Sequence, residues 1–159
     1  MTTVRKALTA LLICVAFLLA VAYAITYQYT ITNIGKIQAI GVQVYAEDAQ
    51  TVLTQLDWGN LYVGDTYHQY GYLKSTSTVT TTVQYTVENL PTYLTFTLYY
   101  QTGYWNNGVW QPTSNWINMQ TNPYQIQPNE WLRIRFELTV QETATPGSFS
   151  FTIIITATA

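Results

Sequence analysis

WLRIRFELTV, residues Trp131–Val140, decides how the rest of this 159-residue chain is read. Leu132, Ile134, Phe136 and Leu138 alternate with Arg133, Arg135, Glu137 and Thr139. A period of two puts the first set on one face of an extended chain and the second set on the other, so the stretch predicts a half-buried β-strand. Phe136 is in phase with the buried set and Trp131 is out of phase with it.

The same pattern recurs to either side. Residues 149–155 form a denser apolar run suited to a central strand. Residues 67–73, 78–87 and 93–101 are rich in Tyr, Thr and Val, the composition of strands. Residues 37–46 read as one strand with Ile40, Val42 and Val44 on one side, and residues 51–56 as a short one. Nearer the start, Ile25, Tyr27, Tyr29 and Ile31 alternate with Thr26, Gln28 and Thr30. Turn chemistry separates the runs. Asn33-Ile34-Gly35 predicts a bend, Glu47-Asp48 a polar loop, and Val63-Gly64-Asp65, Asn89-Leu90-Pro91 and Pro146-Gly147 tight turns. Asn107-Gly108 is the preferred pair for a two-residue type I′ hairpin, with Trp105 and Trp110 on its flanks. Pro112, Pro123 and Pro128 keep their neighbourhood out of continuous sheet. No 3.6-residue periodicity follows residue 25. Eight to nine strands at this spacing predict an all-β protein, an antiparallel β-sandwich of immunoglobulin-like or jelly-roll type.

The first 24 residues have a different character. Arg5 and Lys6 precede an apolar run over residues 7–21, interrupted only by Thr9, and Ala22-Tyr23-Ala24 follows. A basic start, an apolar middle and a small-x-small site describe a secretory signal peptide cut after Ala24. A retained membrane anchor is the second reading, because residues 7–25 just reach the ~20 apolar positions that cross a bilayer. In both readings residues 25–159 form a single external domain, and contact with membrane is confined to the N-terminal segment. Lys6-Ala7-Leu8-Thr9 also resembles the cleavage site of archaeal type IV pilins, which implies a cut after Ala7 and a retained helix.

Composition narrows the function. Only 9% of the chain is charged, against 14 Tyr and 5 Trp. Beyond residue 24, Lys36, Lys74, Arg133 and Arg135 face eight acidic residues, which gives nucleic acid no electrostatic footing. The single cysteine, Cys14, lies in the apolar N-terminal run behind Leu12-Ile13, unlike a lipoprotein site, so the external domain relies on core burial without disulfides. No Asn-x-Ser/Thr sequon occurs, and the hydroxyl-rich residues 74–82 could carry O-linked sugar, which composition alone does not establish.

The order Ile31-Thr32-Asn33, Gly41-Val42, Leu56-Asp57-Trp58-Gly59, Gly64-Asp65 and Gly147-Ser148-Phe149-Ser150-Phe151 resembles small secreted β-sandwich proteins of thermophilic archaea, with Val63 in place of that group's usual Pro. More distantly, the body is similar to archaeal surface-filament subunits that assemble by donating a strand. The resemblance implies a fold and a location at the cell surface, and it supplies no functional residues.

Catalytic chemistry finds no foothold in the pattern. His68 is the only histidine, so no ligand set or partnered base can be assembled around it. Glu47, Asp48, Asp57 and Asp65 offer oxygen ligands for Ca²⁺ but at no regular spacing, and Asp beside Gly is a turn former. No Gly-x-Ser-x-Gly elbow is present. The expectation is a non-enzyme without cofactor or metal: an extracellular structural protein that self-associates into a filament or coat. Ile25, Tyr27, Tyr29 and Ile31 are the candidate strand donated to a neighbouring copy, freed by the cut after Ala24. Trp105, Trp110 and Trp116, with Tyr99, Tyr100, Tyr104, Asn106, Asn107 and Asn115, are the candidate aromatic surface, and Trp105 and Trp110 are expected to project outward. The alternatives are a monomeric module in which these rings read a cell-surface polysaccharide, a cover over one end of the sandwich core, and a type IV pilin.

Overall fold

The computed structural model describes residues 33–145 and 147–159. The apolar N-terminal segment, the strand expected over residues 25–31 and Pro146 lie outside the described residues. Within them the chain forms β1 (Asn33–Ile40), β2 (Val42–Tyr45), β3 (Gln55–Asp57) and β4 (Thr66–Ser75). Next come β5 (Thr81–Glu88), β6 (Leu94–Gln101), β7 (Gly103–Asn106) and β8 (Val109–Pro112). β9 (Ile117–Asn118), β10 (Tyr124–Ile126), β11 (Trp131–Val140) and β12 (Phe149–Thr158) complete it. One sheet, A, runs β10-β5-β12-β1-β3; the other, B, runs β2-β4-β11-β6-β9; β7 and β8 form a separate hairpin.

The alternation in β11 is realised as read. Leu132, Ile134, Phe136 and Leu138 are fully buried while the residues between them are half-exposed. β11 lies between β4 and β6, and β6 adds Leu94, Phe96, Leu98 and Tyr100 to the same inner face. From sheet A, the central strand β12 contributes Phe149, Phe151, Ile153 and Ile155. The two inner faces meet: the ring centroids of Phe96 and Phe151 are 5.7 Å apart, and those of Tyr85 and Phe96 are 5.9 Å apart. This is a β-sandwich held by interdigitated aliphatic and aromatic side chains, each stabilising by about 1.5–3 kcal/mol on full burial.

Four features differ from the sequence expectation. Asn33-Ile34-Gly35 is no bend but the start of β1, where Ile34 pairs with Ser150 on one side and Asp57 on the other. Tertiary pairing on both edges outweighs a local turn preference. The bend falls at Gly41, which has φ +73° and splits the expected 37–46 strand into β1 in sheet A and β2 in sheet B. Ile40 consequently points away from Val42 and Val44 and is 60% exposed. Finally, sheet A is not wholly antiparallel, since β1 runs parallel to β12 along its whole length. The chain's first described strand and its last share a direction, which only a long-range pairing can set. Among the described residues the strands also number twelve, because residues 103–126 contribute four short pieces.

The flanks of the sandwich carry very short strands. On one side the Val52 bridge to Tyr45 leads into β3, so residues 51–57 pass from the edge of sheet B to the edge of sheet A. On the other side β9 pairs with β6 only at Tyr99 and Tyr100, and β10 pairs with β5 only at residues 81–83.

Candidate functional site

The hairpin of β7 and β8 turns at Asn107 (φ 51°) and Gly108 (φ 77°), the left-handed pair that a type I′ turn requires. Its register sets Trp105 opposite Trp110, with ring centroids 5.4 Å apart. Directly paired residues point to the same side of a hairpin. That side faces inward: Trp105 and Trp110 lie 4.9 and 5.6 Å from the ring of Tyr72, and Trp131 is 6.1 Å from Trp105. Trp110 is 8% exposed, and its indole Nε1 is buried without a partner. The expected outward projection of these two rings is therefore corrected. The apolar side of the hairpin folds over the outer face of sheet B, because burying two indoles against Tyr72 outweighs leaving them in water. The side it shows to solvent carries Tyr104 and Val109, each 58% exposed.

The aromatic set is thus dispersed. Tyr100 belongs to the core, Trp105 and Trp110 lie under the hairpin, and Tyr104 lies on top of it. Trp116 and Tyr99 remain half-exposed on the outer face of sheet B, where they join Tyr70, Arg133 and Arg135. The sequence reading missed Tyr70 and the two arginines as members of this surface. The signal was present in the outward phase of β4 (His68, Tyr70, Tyr72, Lys74) and of β11, which lie side by side with Arg135 opposite Tyr70 and Arg133 opposite Tyr72.

The four acidic residues considered as Ca²⁺ ligands each serve a local turn or pair. Asp48 accepts the N–H groups of Gln50 and Thr51 at 2.9 Å and the Thr51 hydroxyl at 2.6 Å. That hydroxyl, then the two N–H groups, hold its carboxyl below the usual range. Asp57 accepts the N–H of Gly59 at 2.9 Å, and Asp65 accepts the Tyr67 hydroxyl at 3.4 Å. Glu47 pairs with Arg133 at 3.4 Å. His68 meets neither Asp57 nor Asp65 but Glu137, Nε2 to Oε2 at 2.9 Å, and Arg135 shares that oxygen at 3.1 Å. Among the described residues no three His, Cys, Asp or Glu side chains gather as a metal site.

The remaining feature is an incomplete flank. Beyond β10 and β9, no described strand pairs with residues 84–88 of β5 or with residues 94–97 of β6 on that side. The two stretches flank the 89–93 turn, so they open at the same end of the sandwich, with Tyr85, Val87, Leu90 and Tyr93 half-buried there. Comparison with known protein families gives no match, and no curated protein is similar in sequence.

Proposed function

We propose that this protein is a secreted, non-catalytic subunit of a surface filament or coat, in which residues 25–31 of one copy pair as a strand with the sandwich of the next. The flank that no described strand covers carries the reading. Residues 84–88 and 94–97 contain one charge, Glu88, and neither Lys nor Pro, the residues by which sheet edges usually deter pairing. An added strand would satisfy these edges and cover Tyr85 and Val87. Ile25, Tyr27, Tyr29 and Ile31 supply a matching period of two. Each large apolar side chain stabilises by ~1.5–3 kcal/mol when buried, before the cost of ordering the segment.

The chain also enters at the right end. Lys36 of β1 is opposite Thr152 of β12, which is opposite Glu88 of β5, so Asn33 lies at the end of sheet A where no described strand covers the flank. The basic-apolar N-terminus supports secretion, and the resemblance to strand-donating filament subunits supports polymerisation. We also read the sandwich as immunoglobulin-like, on the ground that a first strand split at Gly41 serves both sheets.

Two forms test the proposal, one beginning at Ile25 and one at Asn33. Sedimentation and electron microscopy should show polymers of the first and folded monomers of the second, with the monomers binding a synthetic peptide of residues 25–32. Polymers of the second form, or its failure to fold, would refute donation. Mass spectrometry of the native N-terminus separates a first residue of Ile25 from Leu8, the latter being the pilin outcome.

A further inference from the structure

We propose that the outer face of sheet B is a binding site for an acidic, carboxylate-bearing polysaccharide, centred on Trp116, Arg133 and Arg135. It concerns a sheet face and does not rest on the flank assigned to assembly.

Three of the four cations that follow residue 24 share the outer face of sheet B: Arg133 and Arg135 lie beside Trp116, and Lys74 lies beyond Tyr72, which the hairpin covers. Each is set against a ring. The Arg135 guanidinium carbon lies 4.4 Å from the Tyr99 centroid and 5.2 Å from that of Trp116. Arg133 lies 5.3 Å from Tyr70 and 5.9 Å from Trp116, and Lys74 Nζ lies 5.1 Å from Trp131. Stacking of this kind holds a guanidinium plane in place without consuming its N–H donors.

Those donors exceed the acceptors that the fold provides. A guanidinium has five N–H groups. Among the described residues Arg133 gives a single bond, to Glu47 at 3.4 Å, and Arg135 a single bond, to Glu137 at 3.1 Å. Lys74 has no carboxylate partner among the described residues. The side chains of Arg133 and Arg135 are 32% and 18% exposed, with each Nε buried and unpaired, so the donors left for a ligand are on the terminal nitrogens. The face therefore combines fixed, under-used donors with the half-exposed rings of Trp116, Tyr70 and Tyr99. A uronate-type sugar is complementary to both, its carboxylate accepting from Arg or Lys and its C–H face lying on a ring. The face ends at a cleft of about 340 Å³ lined by Ala46, Glu47, Leu53, His68, Gln69 and Tyr70, four of which carry polar groups. A nucleic acid suits it less well, since three cations on a chain of net charge −2 match a sparse polyanion better than a dense one.

The test is affinity electrophoresis of the full secreted chain through gels containing sodium polygalacturonate, neutral galactan or oligothymidylate, at low and at high salt. Retardation by polygalacturonate alone, relieved by salt, is the expected result. Arg133→Gln with Arg135→Gln should weaken it roughly tenfold or more, the loss of two charge-assisted contacts. Trp116→Ala should weaken it as well, and Lys36→Gln, on the opposite sheet, should leave it unchanged. Should the double variant not fold, Lys74→Gln takes its place, with a smaller loss of the same sign. No retardation by polygalacturonate, equal retardation by galactan or oligothymidylate, or unaltered binding by the folded arginine or lysine variants would each overturn the proposal.

Discussion

The carbonyl oxygen of Ala157 stands 2.9 Å from where a side-chain carbon on Gly41 would lie. Gly41 also has φ +73°, so one residue both turns the chain out of sheet A and lets the end of β12 approach it. Gly41→Ala should cost about 1–2 kcal/mol for the left-handed conformation, and more for the displaced carbonyl. An unchanged denaturant midpoint would mean that the break between β1 and β2 is placed elsewhere.

Phe136 and Trp131 occupy opposite faces of one strand. Phe136 is fully buried between the sheets, and Phe136→Ala should lose about 3–5 kcal/mol. Trp131 packs at 5.1 Å on Tyr45 and 6.4 Å from Tyr72 on the outer face. Trp131→Ala should lose a smaller amount, on the order of 1–2 kcal/mol from its aromatic pairs. Equal losses in a urea titration would contradict the register.

Replacing Trp105 and Trp110 together by Ser should lower the melting temperature. The pair covers Tyr72, and losing a buried indole costs about 3–5 kcal/mol in a core and somewhat less in this outer layer. Near-ultraviolet dichroism should lose signal in parallel, as the indole pair disappears. A melting temperature equal to that of the parent would place the hairpin away from the sheet in solution.

Alkaline pH should unfold the protein through its tyrosines. Burial raises the hydroxyl pKa of Tyr67, Tyr72, Tyr85 and Tyr100. Tyr124 is raised furthest, by burial and then by its 2.7 Å hydrogen bond to Glu130. Below about pH 10, the ordinary tyrosine value, both folded and unfolded chains keep these protons and stability is level. Above it the unfolded chain releases them first, so stability falls as pH rises. Denaturant midpoints from pH 8 upward should be flat and then decline, and Tyr124→Phe should make the decline shallower. A midpoint that held level through the alkaline range would contradict this.

Most of the fold is legible in local pattern. The phase of β11, the central apolar run of β12 and the Asn107-Gly108 hairpin follow from period-two alternation and left-handed turn residues, which depend on neighbours a few positions away. The Asp48 and Asp57 turns belong here too, since each carboxylate binds backbone within three residues. The candidate surfaces are less legible. Alternation shows that Arg133 and Arg135 share a face, but not that Tyr70, Tyr99 and Trp116 come to lie beside them.

Local alternation settles which side chains β11 buries, because side-chain direction in an extended chain alternates whatever the partner. Only the tertiary structure decided the parallel pairing of β1 with β12, the break at Gly41 and the inward turn of Trp105 and Trp110. Each of these is fixed by contact between residues distant in sequence. Edge hydrogen bonds and buried aromatic area outweigh the weak local preferences of a turn tripeptide or a hairpin flank.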